Sequence, residues 1–163
     1  MRLFVSVDLD GRADAIERIQ APLSILSGMR TTDPADAHVT MTFLGEGDHD
    51  LEAISRAIDA AIDTADTGPF EVTFGGVGAF PSREYIRVVW VGVEDGAAPL
   101  TALHRQLEAE TTALGYDEAR HEFTPHVTLA RMDHAAAKED VQRFLREAEP
   151  EIGPLSVEEL RLT

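Results

Sequence analysis

Hydrophobic positions along the chain recur with two different spacings, and the spacing changes from one segment to the next. Segments in which apolar and polar residues alternate, rich in Val, Ile, Phe and Thr, predict β-strands. Segments with apolar residues three and four positions apart predict amphipathic helices. Strands are predicted at residues 2–9, 38–45, 70–74, 85–93, 123–131 and 155–162, and helices at 13–26, 48–64, 99–114 and 135–147.

These elements occur in the same order in both halves of the sequence, which each read βαβαβ around a seam near residues 76–84. The repeat predicts one pseudo-symmetric α+β domain over residues 1–163, with halves at about 1–78 and 79–163. Because each half is too short to be a comfortable domain, we expect one unit, in which two antiparallel sheets face a common central cleft.

Glycine and proline mark the predicted interruptions. Gly75-Gly76-Val77-Gly78 is interpreted as a turn at the seam. It does not resemble a phosphate-binding loop, because no Lys-Ser/Thr follows it and it does not lead into a helix. Residues 28–37 are predicted to form a loop, and Pro22 predicts a break or a kink in the first helix.

Two of the predicted strands share a short motif that carries chemistry. His38-Val39-Thr40 begins one strand, and His126-Val127-Thr128 recurs in the matching position of the second half. Residues i and i+2 of a strand point to the same face, so each motif presents an imidazole and a hydroxyl about 7 Å apart. Imidazole transfers protons near neutral pH, and a hydroxyl can donate a hydrogen bond to an anionic oxygen. Two such pairs on one cavity predict acid–base chemistry on a phosphate.

Composition is that of an ordinary globular protein. The chain has 163 residues, of which 44% are hydrophobic, and it contains no cysteine. Disulfides, thiolate metal sites and a cysteine nucleophile are therefore excluded. No apolar run approaches the ~18 residues of a membrane-spanning helix, and no signal-peptide pattern precedes the first predicted strand. We expect a cytoplasmic protein without membrane association.

The charge is less ordinary, since the chain carries a net charge of −16. Lys138 is the only lysine, and all other basic residues are arginines. Such an acidic, lysine-poor chain is typical of a protein from a high-salt cytoplasm, where self-repulsion is screened. An acidic protein from an ordinary cytoplasm is the alternative. In either case a broad basic surface for nucleic acid is absent, so any RNA must be recognised locally by a few arginines.

No metal site is predicted. His121 lies near His126, but a cluster of carboxylates at ligand spacing is missing around it. The remaining histidines are expected to be solvated surface residues: His49, His104 and His134.

The two His-Val-Thr motifs and their flanks resemble the 2H phosphoesterase superfamily. Within it, the sequence is most similar to the RNA 2′,3′-cyclic phosphodiesterases, formerly called 2′-5′ RNA ligases, and the similarity covers essentially the whole chain. Members usually continue beyond the last predicted strand, whereas the present sequence ends at Thr163. The resemblance also rests on Phe123-Thr124-Pro125 before the second motif, Arg131 after it, Gly78-Ala79-Phe80-Pro81, Arg2-Leu3-Phe4-Val5 and Phe43-Leu44-Gly45.

This resemblance implies hydrolysis of RNA 2′,3′-cyclic phosphate ends to 2′-phosphates without metal or cofactor. It implies that His38 is the acid on the 3′-oxygen and His126 the base on water, roles that 2′-5′ ligation would exchange. Hydroxyls of Thr40 and Thr128, with the guanidinium of Arg131, would stabilise the negative charge of the transition state.

Aromatic residues near the motifs are candidates for stacking a nucleobase. Phe4, Phe43 and Tyr85 are the three, although packing in the core is the alternative for Phe4 and Phe43. Arg83 and Arg87 are interpreted as paired surface arginines rather than as contacts to the substrate backbone.

Two other functions stay open at this level. The same site would suit a small cyclic nucleotide, such as an ADP-ribose cyclic phosphate, or a nucleotide-binding module without turnover. The paired motifs argue against the module, because binding alone does not need two titrating imidazoles. We expect a monomer whose partner is RNA or a small cyclic nucleotide.

Overall fold

The computed structural model describes residues 2–163. A single turn of 3₁₀ helix at Pro34–Asp36 supplements four helices and nine strands in this part of the chain. In chain order these are β1 (Leu3–Asp8), α1 (Ala13–Ser24), β2 (Met29–Thr31), β3 (His38–Gly45), α2 (Leu51–Ala65), β4 (Phe70–Val72), β5 (Phe74–Pro81), β6 (Ile86–Val93), α3 (Ala97–Ala113), β7 (His126–Met132), α4 (Lys138–Glu147), β8 (Leu155–Val157) and β9 (Arg161–Leu162).

Seven strands form an antiparallel sheet in the order β5-β6-β7-β3-β1-β9, with β2 paired to β7. The two motif strands, β3 and β7, pair through only one pair of residues, Val39 and Val127. The sheet therefore divides into a first lobe (β3, β1 and β9) and a second lobe (β7, β6, β5 and β2) on either side of that pair. The predicted α+β class with antiparallel pairing is confirmed, but in place of two separate sheets the lobes are joined into one sheet at the motif strands.

Helices cross between the halves of the sequence. Helix α3 packs on α2 and on β3 of the first lobe, whereas α1 packs on β7 and on α4 in the second lobe. Each lobe is therefore built from both halves of the sequence. One hydrophobic core extends through both lobes, which is compatible with the prediction of a single domain.

The strands predicted at 70–74 and 155–162 are each interrupted: the first predicted range ends β4 at Val72 and enters the longer β5 at Phe74, and the second contains both β8 and β9. Strand β4 pairs with β8 in a separate two-stranded sheet. Strand β5 extends the second lobe beside β6, and β9 extends the first lobe beside β1. The prediction of single strands was wrong because each segment must supply two different layers of the fold.

The predicted turn at Gly75–Gly78 was also wrong, because these residues lie within β5. A side chain at Gly78 would place its Cβ 2.3 Å from Cζ2 of Trp90 on the neighbouring strand. Glycine there admits the indole ring, so this glycine serves packing between strands. At Gly76 the backbone has φ +69°, and the register with β6 shifts nearby, as expected of a β-bulge.

Two other local predictions need correction. The segment 28–37 was predicted as a loop but contains β2, whose residues pair with β7. Helix α1 continues past Pro22 to Ser24 rather than breaking there. Among residues 2–163, none of the helices is both long and apolar enough to cross a membrane.

Candidate active site

The two histidine motifs lie side by side at the centre of the sheet. The side chains between the motif positions point into the core, with Val39 and Met41 each 1% exposed and Val127 and Leu129 fully buried. Strand alternation then places His38 and Thr40, together with His126 and Thr128, on the opposite face. The structure thus brings both predicted pairs to one face of the sheet.

Both imidazoles are held in the same way. Nδ1 of His38 lies 2.8 Å from the carbonyl oxygen of Asp36, and Nδ1 of His126 lies 2.6 Å from that of Thr124. A carbonyl oxygen only accepts, so Nδ1 carries the proton in each ring. Nε2 is thereby left as the ring nitrogen that can exchange a proton with a substrate.

The rings around the two histidines differ. His126 contacts Phe80 edge-on at a centroid distance of 4.9 Å and lies 5.8 Å from Trp90. Burial lowers the pKa of His126 below 6.5, and the nearby charge of His38 acts in the same direction, against the hydrogen bond to Thr124. His38 instead stacks on the ring of Phe4 at 4.9 Å.

Each motif strand contains one extra residue relative to its neighbour. Along β3, Thr40 is opposite Ser6 and Thr42 is opposite Val5, so Met41 is unmatched. The same irregularity recurs along β7, where Thr128 and Ala130 are opposite consecutive residues of β6 and the intervening residue is unmatched. Such bulges reverse the alternation of side chains that follow them.

The bulges decide which side chain joins each motif. Phe43 is opposite Phe4, and Arg131 is opposite Val88. Without the bulges, the fifth residue after each histidine would point into the core; with them, Phe43 and Arg131 share the face of the histidines. Phe43 is 52% exposed, which excludes core packing for it. The guanidinium carbon of Arg2 lies 5.0 Å from the Phe43 ring centroid.

A cleft of about 770 Å³ opens beside the motifs. Thr40, Phe43 and His126 line it directly, whereas His38, Thr128 and Arg131 share the sheet face but are not among its lining residues. The other lining residues are Met41, Thr42, Phe80, Pro81, Arg87, Val88, His104, Glu108, Ala119, His121, Glu122, Phe123 and Thr124.

Tyr85 is 57% exposed and does not line this cleft, but it is joined to a residue that does. Arg87 donates a hydrogen bond of 2.7 Å to the Tyr85 hydroxyl, and its guanidinium carbon lies 5.2 Å from the ring centroid. Arg87 is exposed, as expected of a surface arginine, and it also lines the cleft. Arg87 lies where the register between β5 and β6 shifts, between the partners of Phe80 and Pro81. Alternation along the sequence alone could not show that its side chain lines the cleft.

His104 corrects another prediction. It was expected on the solvated surface, but its side chain is only 13% exposed, and it stacks on Phe123 at 4.1 Å with 7° between the rings. The motif alone did not identify it, because α3 reaches the first motif strand only through the crossing of helices between halves. Phe80 and Trp90 were likewise missed as neighbours of His126.

Among residues 2–163, no group of three or more His, Asp or Glu side chains is arranged to hold a metal ion. Activity without a metal stays a prediction.

The chain is similar to several known proteins. Residues 8–163 match the 2′-5′ RNA ligase superfamily. The RNA 2′,3′-cyclic phosphodiesterase of Methanothermobacter thermautotrophicus is 32% identical over 166 residues, covering 99% of this chain and 88% of the relative. The protein of the same name from Archaeoglobus fulgidus is 33% identical over 165 residues, covering 99% and 89%.

Solved structures share the fold. E. coli LigT complexed with 3′-AMP matches with a TM-score of 0.71 at 23% identity, covering 99% of this chain and 86% of that one. The protein TT0787 of Thermus thermophilus matches with a TM-score of 0.69 at 24% identity, covering 99% and 84%.

The chain therefore belongs to the 2′-5′ RNA ligase superfamily. The resemblance to the 2H phosphoesterases, and within them to the RNA 2′,3′-cyclic phosphodiesterases, is confirmed.

Proposed function

We propose that this protein hydrolyses the 2′,3′-cyclic phosphate ends of RNA to 2′-phosphates. The observation that carries the proposal is the matched pair of histidines, each with Nδ1 fixed by a carbonyl and Nε2 directed to the same face of the sheet. Opening a cyclic phosphodiester needs a base for water and an acid for the leaving oxygen, and two imidazoles divide these tasks.

In this mechanism His126 is the base and His38 is the acid. A base must be neutral before it acts, and burial among Phe80 and Trp90 lowers the pKa of His126. His126 takes a proton from water as the water oxygen bonds to phosphorus. The bond from phosphorus to the 3′-oxygen breaks, and His38 gives its proton to that oxygen. The product keeps the phosphate on the 2′-oxygen.

Phe43 and Arg131, which the bulges turn to the face of the histidines, orient the substrate between them. Phe43, on the strand of His38, offers an exposed ring on which the base of the terminal nucleotide can stack. The Arg131 guanidinium, on the strand of His126, is suited to the phosphate oxygens. The ribose and its leaving oxygen then lie on the His38 side and the attacking water on the His126 side. Thr40 and Thr128 donate hydrogen bonds to the non-bridging oxygens.

Direct assay tests the reaction. The protein is incubated with 2′,3′-cyclic AMP and with an oligonucleotide ending in a cyclic phosphate, in the presence of EDTA, and the products are separated. We expect 2′-phosphates from both substrates. No turnover, turnover that requires an added divalent ion, or a 3′-phosphate product would each contradict the proposed mechanism.

RNA, rather than a small cyclic nucleotide, is favoured by the Tyr85–Arg87 pair beside the cleft. An exposed ring with a guanidinium packed on it suits the nucleotide that precedes the reacting end. Arg87→Gln and Tyr85→Leu should raise KM for the oligonucleotide by roughly fivefold and leave KM for 2′,3′-cyclic AMP unchanged, since stacking contributes ~1–3 kcal/mol per base. Equal effects on both substrates would favour the small cyclic nucleotide.

We further propose that the protein is a monomer. We also propose that it works in a cytoplasm of high salt, as its charge of −16 indicates. Screening should relieve repulsion within the protein and between the protein and RNA. Melting temperature and activity should both rise from low to ~1 M KCl, where the Debye length is about 3 Å. Phosphate contacts alone would make RNA binding weaken with salt, so a steady fall of both quantities would contradict this setting.

A further inference from the structure

Each bulge in a motif strand is held by a side chain from a helix that belongs to the other half of the sequence. Helix α1 follows β1 in the first half of the chain yet packs on β7, and α3 follows β6 in the second half yet packs on β3. Each of these helices directs one polar side chain to the carbonyl oxygen of the unmatched residue. The pattern repeats in both lobes, which is not expected of an incidental contact.

In the second lobe this side chain is Gln20, which is 3% exposed. Its Nε2 donates to the carbonyl oxygen of Leu129 at 3.0 Å and to that of Thr32 at 2.9 Å. The backbone N–H of Thr32 also donates to the Leu129 oxygen at 3.0 Å. Loss of Gln20 would remove a donor from buried backbone oxygens.

In the first lobe the corresponding side chain is His104. Its Nδ1 lies 2.7 Å from the carbonyl oxygen of Met41, the unmatched residue of β3. Stacking on Phe123 fixes the ring plane. Because a carbonyl oxygen only accepts, Nδ1 is the donor here as Nε2 of Gln20 is in the other lobe.

We propose that Gln20 and His104 are paired positioning residues, which hold the bulges that bring Arg131 and Phe43 onto the catalytic face. Gln20 acts through Arg131 on binding of the phosphate, and His104 acts through Phe43 on binding of the nucleobase. The inference builds on the proposed function, since it assigns the two side chains to different parts of a nucleotide.

Binding of two probes, inorganic phosphate and adenosine 2′-monophosphate, tests this without any need for turnover. Gln20→Met, which keeps the volume and removes the donor, should weaken both probes roughly fivefold. His104→Met should weaken only the nucleotide, by roughly threefold, and His104→Asn should restore it by supplying a donor at a similar place. Thr111→Val is the matched control, because it removes a buried hydrogen bond to the carbonyl oxygen of Leu107 within α3, and Thr111 does not line the cleft; both affinities should stay unchanged.

Double mutants separate positioning from a general structural role. Gln20→Met should have no further effect on phosphate binding in an Arg131→Gln protein. His104→Met should have none on nucleotide binding in a Phe43→Leu protein. If either effect keeps its full size in these backgrounds, the proposal is overturned.

Should Gln20→Met fail to fold, Thr32→Val replaces it, because the Thr32 hydroxyl donates to the carbonyl oxygens of Thr128 and Leu129. Its effect on phosphate binding should likewise vanish in the Arg131→Gln protein, and persistence of that effect would overturn the proposal.

Turnover of 2′,3′-cyclic AMP by the unaltered protein is measured separately. If the protein shows no turnover but the Gln20 and His104 effects still vanish in the Arg131 and Phe43 variants, the proposed function is refuted and the positioning roles stand. If the unaltered protein bound neither probe, the positioning roles would fall as well.

Discussion

The two lobes repeat one design around the motif strands and differ in what lies beside each histidine. On the strand next to His38, the residues opposite the motif are Asp8 and Ser6, which hydrogen-bond to each other at 2.7 Å. On the strand next to His126, the opposite residues are Gly92 and Trp90. The residues opposite the first motif are therefore polar, although Phe4 on the same strand stacks on His38, whereas Trp90 lies opposite the second motif.

Because of this difference, a pseudo-symmetric site can carry out an asymmetric reaction. Burial among aromatic rings favours the neutral imidazole at His126, which suits a base. The side chains that the bulges turn to the face of the histidines differ in the opposite sense, with an aromatic ring (Phe43) on the strand of His38 and a cation (Arg131) on the strand of His126. A substrate with a nucleobase at one end and a phosphate at the other can therefore bind in only one productive direction.

The largest effect is expected from removing either histidine. His38→Ala and His126→Ala should each lower kcat by roughly 10²–10⁴, the usual contribution of a positioned acid or base. The pH dependence of kcat/KM should be bell-shaped and belong to the coupled pair. Rate profiles of the variants check the roles: His126→Ala should lose the acidic limb and His38→Ala the alkaline limb. The opposite pattern would exchange the two roles.

A smaller effect is expected from the hydroxyls. Thr40→Val and Thr128→Val should each lower kcat roughly 10- to 100-fold, because each removes one hydrogen bond to a charged oxygen of the transition state. Steady-state kinetics with 2′,3′-cyclic AMP measures this. Thr112→Val, a change on α3 at a residue that does not line the cleft, serves as the control. A loss as great as that of the histidine variants would mean that the hydroxyls do more than stabilise charge.

Substitutions of Arg131 and Phe43 should have smaller effects that differ between the two residues. Arg131→Gln should weaken inorganic phosphate binding about tenfold, because it removes a charge-assisted hydrogen bond. Phe43→Leu should weaken adenosine 2′-monophosphate roughly fivefold and leave inorganic phosphate unchanged, because it removes stacking only. Titration calorimetry with both ligands measures the contrast. Similar losses of both ligands in both variants would contradict the proposed orientation of the substrate.

The smallest effect concerns the pKa of His126. Because burial lowers that pKa, its NMR titration midpoint should lie below 6.5, and Phe80→Ala should raise it by admitting water. The acidic limb of kcat/KM should then move to higher pH. Phe4→Ala, beside His38, should leave that limb in place. A midpoint unchanged by Phe80→Ala would show that burial is not the cause.

Stability should follow the same titration. Below pH 6.5 the unfolded chain binds a proton at this site that the folded protein resists, so the free energy of unfolding falls with decreasing pH. The fall ends once the folded protein is protonated as well. Urea denaturation across that range should show the dependence, and His126→Phe should reduce it.

The sequence by itself determined the class of fold, the two motif strands and the faces on which His38, Thr40, His126 and Thr128 lie. These features follow from local rules, since period-two alternation fixes the faces of a strand and a repeated motif indicates a repeated element. Family resemblance added Arg131. Local rules also misplaced the glycine-rich strand and the ends of β4, β5, β8 and β9.

Only the tertiary structure decided which residues join the motifs. A bulge reverses the faces after it, and whether a strand has one depends on its neighbours and on the groups that satisfy its extra carbonyl. Phe43 therefore faces the cleft, and Gln20 and His104 reach across the sequence repeat to the motif strands. These contacts arise because α1 and α3 each pack on the motif strand from the other half of the sequence, which no spacing within one segment encodes.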